Sequence, residues 1–429
     1  MSKIRQYFNT LEITKGFFIA LLASLFIYLN YWDFSYPILI TIFSLTSLFL
    51  LLQSHKITWA WYGIFIGLFW FWWIALSLQH YGYDWGFPVG IVVISLLYGF
   101  IFYFIAWFSE KIETHFNINA VFLKALALLG FSYVHPFGFD WLKPELMFLE
   151  SYLGIEKWQF GLILLSVSLS IWKKNLLFLL LVFAAYVPQH STPIQMNNNI
   201  QVVTTQTSVS EKWNKTLHPK QFQEIFKSID QAIANKKELI ILPESVFPIF
   251  LNQSRKLMDT LQEKAKDISI VTGGLYWDGK TPRNSTYIFS DNKITVANKV
   301  ILVPFGESNP LPDFLSDWIN KVFYDGAVDY VASADVTDYN INGVTFRNAI
   351  CFEATSEKLY EKNKNGKHPK NMIVLSNNGW FTPSTEPTLQ KLLLQYYSKK
   401  YGTTIYHSVN MSSSYSIQNG KYLKSESYP

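Results

Sequence analysis

The chain has 429 residues, half of them hydrophobic and 17% aromatic, whereas only 16% are charged. Soluble proteins average about 25% charged residues, so this composition favours a membrane protein. The net charge of +5 comes from scattered lysines without a basic run, which argues against a nucleic-acid-binding protein. Long apolar runs stop near residue 187, so we predict a transmembrane domain at 1–190 and a soluble domain at 191–429.

About seven apolar stretches have close to the roughly 20 residues that a membrane-spanning helix needs. They are 16–31, 37–52, 58–79, 88–109, 119–136, 158–172 and 175–188. No small-residue cleavage site follows the charged N-terminus, so we predict a retained first span instead of a cleaved signal peptide. Lysine and arginine concentrate in the loops that are cytoplasmic if the N-terminus is inside, and this bias predicts an extracytoplasmic soluble domain.

The outer loop 136–157 is amphipathic. Its sequence fits equally well a segment lying among lipid headgroups and a loop that only packs between spans.

From residue 199 onward, short β-branched runs alternate with helical patterns. Strands are predicted at 200–204, 239–242, 268–272, 284–290, 294–298, 344–351 and 372–376. Helices are predicted at 219–236, 254–266 and 388–400. Strands interleaved with helices predict a layered α/β domain.

Three residues with different chemistry stand at the ends of predicted strands. Glu244 follows the second strand, Lys299 follows the fifth, and Cys351, the only cysteine, ends the sixth. A thiol attacks as its thiolate, and its free pKa is about 8.5. Glu244 could take the thiol proton, while Lys299 could stabilise the thiolate and then the oxyanion of a tetrahedral intermediate. Base, cation and nucleophile together suffice for acyl transfer.

Each of these residues taken singly has a more ordinary explanation. A lone cysteine is usually a small buried hydrophobe, a glutamate after proline is usually a cap, and a lysine at a strand end is usually solvated. The eight histidines lack a zinc-like spacing, so neither a metal nor another cofactor is expected, and His407 is assigned a packing or surface role. A single cysteine also excludes an intrachain disulfide.

The segments around Glu244, Lys299 and Cys351 are similar to the Glu, Lys and Cys motifs of the nitrilase, or carbon–nitrogen hydrolase, superfamily. The stretch Val-Pro-Phe-Gly-Glu at 303–307, behind a multi-span region, resembles the apolipoprotein N-acyltransferases within it. Further similar segments are 206–213, 284–285 and 376–381. The resemblance covers nearly the whole chain.

The resemblance implies a polytopic α-helical membrane domain followed by a nitrilase-like αββα sandwich. It implies Glu244 as base, Lys299 as oxyanion stabiliser and Cys351 as nucleophile. The supporting carboxylates would be Glu307 and Glu353. The residues expected to contact substrate are Trp213, Phe352 and Trp380.

The resemblance also implies the substrates and the place of action. The expected acyl donor is a phospholipid, phosphatidylethanolamine, and the expected acceptor is a diacylglyceryl-modified apolipoprotein. The enzyme would be a monomer in the bacterial inner membrane, with its catalytic domain on the periplasmic side and no cofactor.

Some features depart from the pattern of this family. Phe352 stands where a tyrosine is common, 406–412 replaces a region usually richer in arginine, asparagine and glycine, and polar residues at 420–429 stand where an eighth span usually follows. These departures concern substrate recognition more than chemistry. Two alternatives stay open: a membrane-tethered amidase that hydrolyses a small amide through the same three residues, and a non-catalytic membrane scaffold.

Overall fold

The structure is a computed structural model that describes residues 9–134, 139–188, 197–304, 306–307, 330–363 and 365–425. The chain divides into two compact units. The first comprises Met1–Pro136, Asp140–Thr192 and Pro383–Leu392. The second comprises Phe137–Phe139, Pro193–Thr382 and Leu393–Pro429.

The first unit is built from apolar helices. Its α-helices are Thr10–Tyr31, Pro37–Leu52, Lys56–Phe71, Ser77–His80, Gly86–Phe116, Ala120–Gly130 and Lys157–Lys173. Shorter 3-10 helices are Trp72–Leu76, Pro144–Phe148 and Leu176–Ala185. Within the described residues, three segments are long and apolar enough to cross a bilayer: Thr10–Tyr31, Lys56–His80 and Gly86–Phe116.

Each of the seven predicted spans coincides with a helical segment, although two segments are shorter than predicted. The segment expected at 119–136 is helical only over Ala120–Gly130, and 135–136 lie outside the described residues. The segment expected at 175–188 is a 3-10 helix of 10 residues, Leu176–Ala185. The preceding α-helix ends where Lys174 takes a left-handed conformation with φ of 51°. The number of membrane crossings therefore stays a prediction.

Small residues allow two of these helices to approach closely. A Cβ on Gly63 would lie 2.4 Å from the carbonyl oxygen of Tyr98, and one on Gly67 would lie 2.8 Å from Cα of Ser95. Glycines at such crossings are typical of helix packing in membranes, where close backbone contact replaces the hydrophobic effect.

From Asp140 onward, the described part of the segment 136–157 packs inside the first unit. Trp141, Lys143 and Glu145 are all buried, and Nζ of Lys143 lies 2.6 Å from Oδ1 of Asp140. The hydroxyl of Ser132 donates to Glu145 at 2.7 Å. These contacts favour the packing role over the headgroup role for 139–157.

The second unit contains two β-sheets in the residues that the structure describes. The first sheet has the order β1-β3-β5-β6-β7, with β4 beside β5. Its strands are β1 Ile200–Val202, β3 Leu239–Ile241, β4 Phe247–Phe250, β5 Ser269–Trp277, β6 Pro282–Ser290 and β7 Lys293–Asn298.

The second sheet has the order β13-β12-β11-β10-β9-β8, with β2 beside β11. Its strands are β2 Thr204–Thr205, β8 Asp338–Ile341, β9 Val344–Ile350, β10 Asn371–Asn377, β11 Thr404–Asn410, β12 Tyr415–Gln418 and β13 Lys421–Lys424. The α-helices in the described part of this unit are Val209–Lys212, His218–Ala234 and Arg255–Lys264, and the last nine residues of Glu386–Tyr401 belong to it as well.

Two apolar layers hold the second unit together. Between the sheets, Ile241 and Val271 of the first sheet belong to the same buried cluster as Phe346 and Leu375 of the second. On the outer face of the first sheet, a second cluster includes residues of the helices His218–Ala234 and Arg255–Lys264. On the second sheet, Gln395 of the helix Glu386–Tyr401 donates to the carbonyl of Gly420 at 2.8 Å. The predicted αββα sandwich is confirmed.

Candidate active site

Glu244 lies in a tight turn directly after β3. The next residue, Ser245, has φ of 46°. On one side, the turn lies against Gly273 of β5, where a Cβ would come within 2.4 Å of the Ser245 nitrogen and 2.7 Å of the Glu244 Cα. Only glycine leaves room for this approach. The carboxylate of Glu244 is buried and accepts a hydrogen bond of 2.8 Å from Nδ2 of Asn284 on β6.

A buried network connects Glu244 to Lys299. The same amide nitrogen of Asn284 donates to Oε1 of Glu307 at 3.0 Å. The other oxygen of Glu307 lies 2.7 Å from Nζ of Lys299, whose side chain is 1% exposed. The main-chain N–H of Lys299 donates to the carbonyl of Asn284 at 2.9 Å, so β6 fixes the place of the lysine. The amide of Asn284 therefore links the two carboxylates, and Glu307 links them to the ammonium of Lys299.

Cys351 begins a 3-10 helix immediately after β9. It has φ of 54°, a conformation that costs energy in a residue with a Cβ and often marks functional sites. Two residues on, buried Glu353 accepts the main-chain N–H of Ile350 at 2.7 Å through one oxygen. Its other oxygen accepts those of Val300 at 2.7 Å and Ile301 at 3.1 Å. Glu353 thus connects the turn at Cys351 to the segment that follows Lys299.

Burial and neighbouring charges perturb the ionisation of these groups. Burial raises the pKa of Glu244, and the charge of Glu307 adds to this effect while Lys299 and Asn284 oppose it. Burial also raises the pKa of Glu353 to about 7, against the influence of Lys299 and the three main-chain donors. Burial disfavours the ammonium of Lys299, but Glu307 and Glu244 outweigh it and raise the pKa of this lysine. Lys299 is therefore a permanent cation, and Glu244 is a stronger base than a solvated glutamate.

Residues 10–189 match the family described as the apolipoprotein N-acyltransferase integral membrane domain. Apolipoprotein N-acyltransferase of Wolinella succinogenes is 40% identical over 95% of this chain and 96% of its own length. The chain belongs to the apolipoprotein N-acyltransferase family. The enzyme of the same name from Helicobacter pylori is 35% identical over 82% of this chain and 81% of its own length.

Among solved structures, a CN-hydrolase superfamily protein of Xanthomonas campestris is similar to 53% of this chain and 87% of its own. Its TM-score is 0.41 and its sequence identity is 13%. The family that the motifs suggested is confirmed by the Wolinella and Helicobacter relatives.

The three predicted substrate-contacting aromatics differ in exposure in this member of the acyltransferase family. Trp213, which follows the short helix Val209–Lys212, is 42% exposed, whereas Trp380 is partly buried. Phe352 is buried, and its ring stacks on that of Phe139 with centroids 6.1 Å apart. That these three residues contact substrate stays a prediction. The burial of Phe352 suits a residue in the wall of a binding site better than one on an open surface.

The segments that carry the two tryptophans are adjacent. A Cβ on Gly379 would lie 3.4 Å from Cγ2 of Val209. The amide of Asn410 donates to the carbonyl of Thr207 and to Oδ1 of Asn377, both at 2.7 Å. The helix Val209–Lys212 therefore lies next to the 3-10 helix Asn378–Trp380.

Two site residues received no role from the sequence. Asn284 belongs to the segment 284–285 that resembles the family, but no role was predicted for it. In the structure its amide hydrogen-bonds to both Glu244 and Glu307. Lys212 is buried, and its Nζ donates to the carbonyl of Glu244 at 3.1 Å. The clue to Lys212 in the sequence was its position next to Trp213, within the segment 206–213 that resembles the family.

His407 is buried on β11, in agreement with the packing role. Its Nε2 lies 2.6 Å from the hydroxyl of Ser376, and its ring packs edge-on against Tyr415. Burial lowers the pKa of His407 to about 3, so its ring is neutral at physiological pH.

Proposed function

We propose that this chain is an acyltransferase that moves a fatty acyl group from a phospholipid to the N-terminal amine of a diacylglyceryl-modified apolipoprotein, through a thioester on Cys351. The observation that carries the proposal is the buried network of Lys299, Glu307, Asn284 and Glu244. It is combined with a cysteine in a strained conformation and with an acyltransferase relative that is 40% identical over 95% of the chain.

In the first half of the reaction, Glu244 takes the proton of the Cys351 thiol. The thiolate attacks the ester carbonyl, and Lys299 balances the negative charge that develops on the oxygen. Collapse of this intermediate breaks the ester bond. The leaving alkoxide takes the proton from Glu244 and departs as a lysophospholipid, and the acyl group stays on sulfur.

In the second half, the α-amine of the acceptor attacks the thioester. Glu244 takes a proton from this nitrogen, and the carbon–sulfur bond breaks to release the amide. The thiolate then regains the proton from Glu244, so the enzyme returns to its starting state. A base with a raised pKa suits both steps because it must accept and return a proton near neutral pH.

The membrane unit supports lipid substrates for this chemistry. Both proposed substrates are held in a bilayer by acyl chains, and the first unit has apolar helices long enough to cross one. The lysine and arginine bias of the loops supports a catalytic domain on the periplasmic face of a bacterial inner membrane. A tethered amidase with a small soluble substrate has no need of such a unit, and a scaffold has no need of a buried base, a buried cation and a thiol.

The test is intact mass spectrometry of the full chain after incubation with phosphatidylethanolamine. We expect an added acyl mass that hydroxylamine removes, and its loss with formation of an amide when a diacylglyceryl lipopeptide is added. No adduct with phospholipid, together with release of ammonia from small amides, would replace the proposal with the amidase.

Gly273→Ala should distort the turn that carries Glu244. The new methyl group would lie 2.4 Å from the Ser245 nitrogen, so the turn must move. We expect the free energy of unfolding to fall by about 1–3 kcal/mol, as in other overpacked interiors, and the rate of thioester formation to fall with it. The matched control is Gly161→Ala, where a Cβ would meet its neighbour at an ordinary 3.7 Å. Equal rates in the two variants would contradict this account of Gly273.

A further inference from the structure

A second buried lysine lies beside the base of the site. Lys212 is the last residue of the helix Val209–Lys212 and is 3% exposed. A buried ammonium costs much free energy unless other groups compensate its charge and hydrogen bonds. Lys212 therefore needs a reason to be inside the domain.

The first compensation is a hydrogen bond to the turn that carries Glu244. Nζ of Lys212 donates to the main-chain carbonyl of Glu244 at 3.1 Å. The same turn lies against Gly273 so closely that a Cβ there would not fit. A strained turn, with Ser245 at φ of 46°, is thus held by a side-chain bond as well as by backbone packing.

The second compensation is electrostatic. The charge of Lys212 interacts favourably with Glu244 and with Cys351. Burial nevertheless lowers the pKa of Lys212 to about 8, so it is mostly protonated at neutral pH.

Lys212 and Lys299, the two buried lysines near Glu244, differ in their hydrogen-bond partners. Lys299 has a carboxylate of its own, Glu307, at 2.7 Å. The hydrogen bond of Lys212 goes to a carbonyl, which carries no net charge. The charge of Lys212 is therefore less compensated by its direct hydrogen-bond partner than that of Lys299.

We propose that Lys212 is a positioning residue of this active site, which fixes the Glu244 turn and favours both the Cys351 thiolate and the Glu244 carboxylate. The inference rests on the proposed function for the use of that thiolate. The ionisable groups that act on this pair are Lys212, Lys299 and Glu307, and Glu353 acts on Lys299. Lys212 is the member that bonds to the backbone of the base.

The test measures the reactivity of Cys351 without any lipid. Because the chain has a single cysteine, the iodoacetamide adduct that is absent from Cys351→Ala in the intact mass of the full chain reports this thiol. Alkylation rates are measured between about pH 5 and pH 9.5, a range that spans the free thiol pKa. The variants are Lys212→Met, Lys212→Gln and Lys212→Arg, with Lys215→Met as the control, because Lys215 is exposed three residues further on.

For Lys212→Met we expect the alkylation profile to move to higher pH by about half a unit or more, as follows from removal of a nearby cation. The difference should be largest below about pH 8, where Lys212 of the wild type carries its charge. Lys212→Arg should return the profile toward the wild type, and Lys215→Met should leave it unchanged. Thioester formation with phosphatidylethanolamine should slow in the order of the shifted profiles.

Lys212→Gln removes the charge and keeps an N–H donor, on a side chain that is one bond shorter. We expect a shifted profile with an unchanged melting temperature. An unshifted profile in a folded Lys212→Gln or Lys212→Met variant would overturn the inference, as would an arginine variant that behaves like the methionine variant. A wild type that is alkylated normally but never acylated by phospholipid would refute the proposed function instead.

Discussion

Cys351→Ala should form no acyl adduct with phosphatidylethanolamine, and its acyl transfer should fall by about 10⁶-fold, the scale on which nucleophile removal acts in triad hydrolases. The chain has one cysteine, so no second thiol can replace it. Folding should be nearly unaffected because the change removes a single sulfur from a partly exposed residue and leaves at most a small cavity.

The measurement is the intact mass with and without hydroxylamine, combined with transfer to a diacylglyceryl lipopeptide. Cys351→Ser is the matched variant because it keeps the shape of the side chain and exchanges only sulfur for oxygen. We expect it to be folded and nearly as inactive, since a neutral hydroxyl is a far weaker nucleophile than a thiolate. An alanine variant that still transfers acyl groups would exclude the thioester mechanism.

The sequence predicted the two-part architecture because hydropathy changes abruptly near residue 190. Apolar runs that need a membrane precede that point, and period-two and helical patterns follow it. Strands with strongly apolar residues, such as Leu239–Ile241, were found within one residue. Five strands received no prediction: Phe247–Phe250, Asp338–Ile341, Thr404–Asn410, Tyr415–Gln418 and Lys421–Lys424.

The missed strands depend on their neighbours more than on their own residues. Lys421–Lys424 is polar at both ends and is a strand because it pairs with β12 across a tight turn. The strand expected at 200–204 divides, because Ile200–Val202 pairs with β3 while Thr204–Thr205 pairs with β11 of the other sheet. Between them, the carbonyl of Val203 accepts hydrogen bonds from the hydroxyls of Ser408 and Ser414. No local pattern encodes such a crossing.

The candidate site, like the fold, was predicted only in part from the sequence. Glu244, Lys299 and Cys351 were found because each is a distinctive residue at the end of an apolar strand. Their connections were not predictable from local patterns, since Asn284 is 40 residues from Glu244 and 23 from Glu307. An asparagine in a strand gives no sign of its partners until the strands are paired.

Glu307→Gln tests whether the network sets the strength of the base. One oxygen of Glu307 accepts from Lys299 and Val303, and the other accepts from Asn284. A glutamine has one oxygen and one NH₂ group, so a donor must face a donor on one side.

We expect a loss of about 3–5 kcal/mol in the free energy of unfolding, the range for breaking a buried ion pair. The control is Glu357→Gln, which breaks a less buried pair with Lys400 at 2.6 Å in the same unit. Its cost should be nearer the roughly 0–1 kcal/mol of exposed pairs.

The pH profile of thioester formation distinguishes an electrostatic role of Glu307 from a structural one. The negative charge of Glu307 raises the pKa of Glu244, so its removal lowers that pKa, and the carboxylate of Glu244 persists to lower pH. The acid limb of the profile should therefore move to lower pH in Glu307→Gln, while the maximal rate falls because Lys299 has lost the carboxylate that orients it. Glu357→Gln should leave the acid limb in place. A profile of unchanged shape with only a reduced amplitude would mean that Glu307 supports the fold and leaves the ionisation of Glu244 to burial alone.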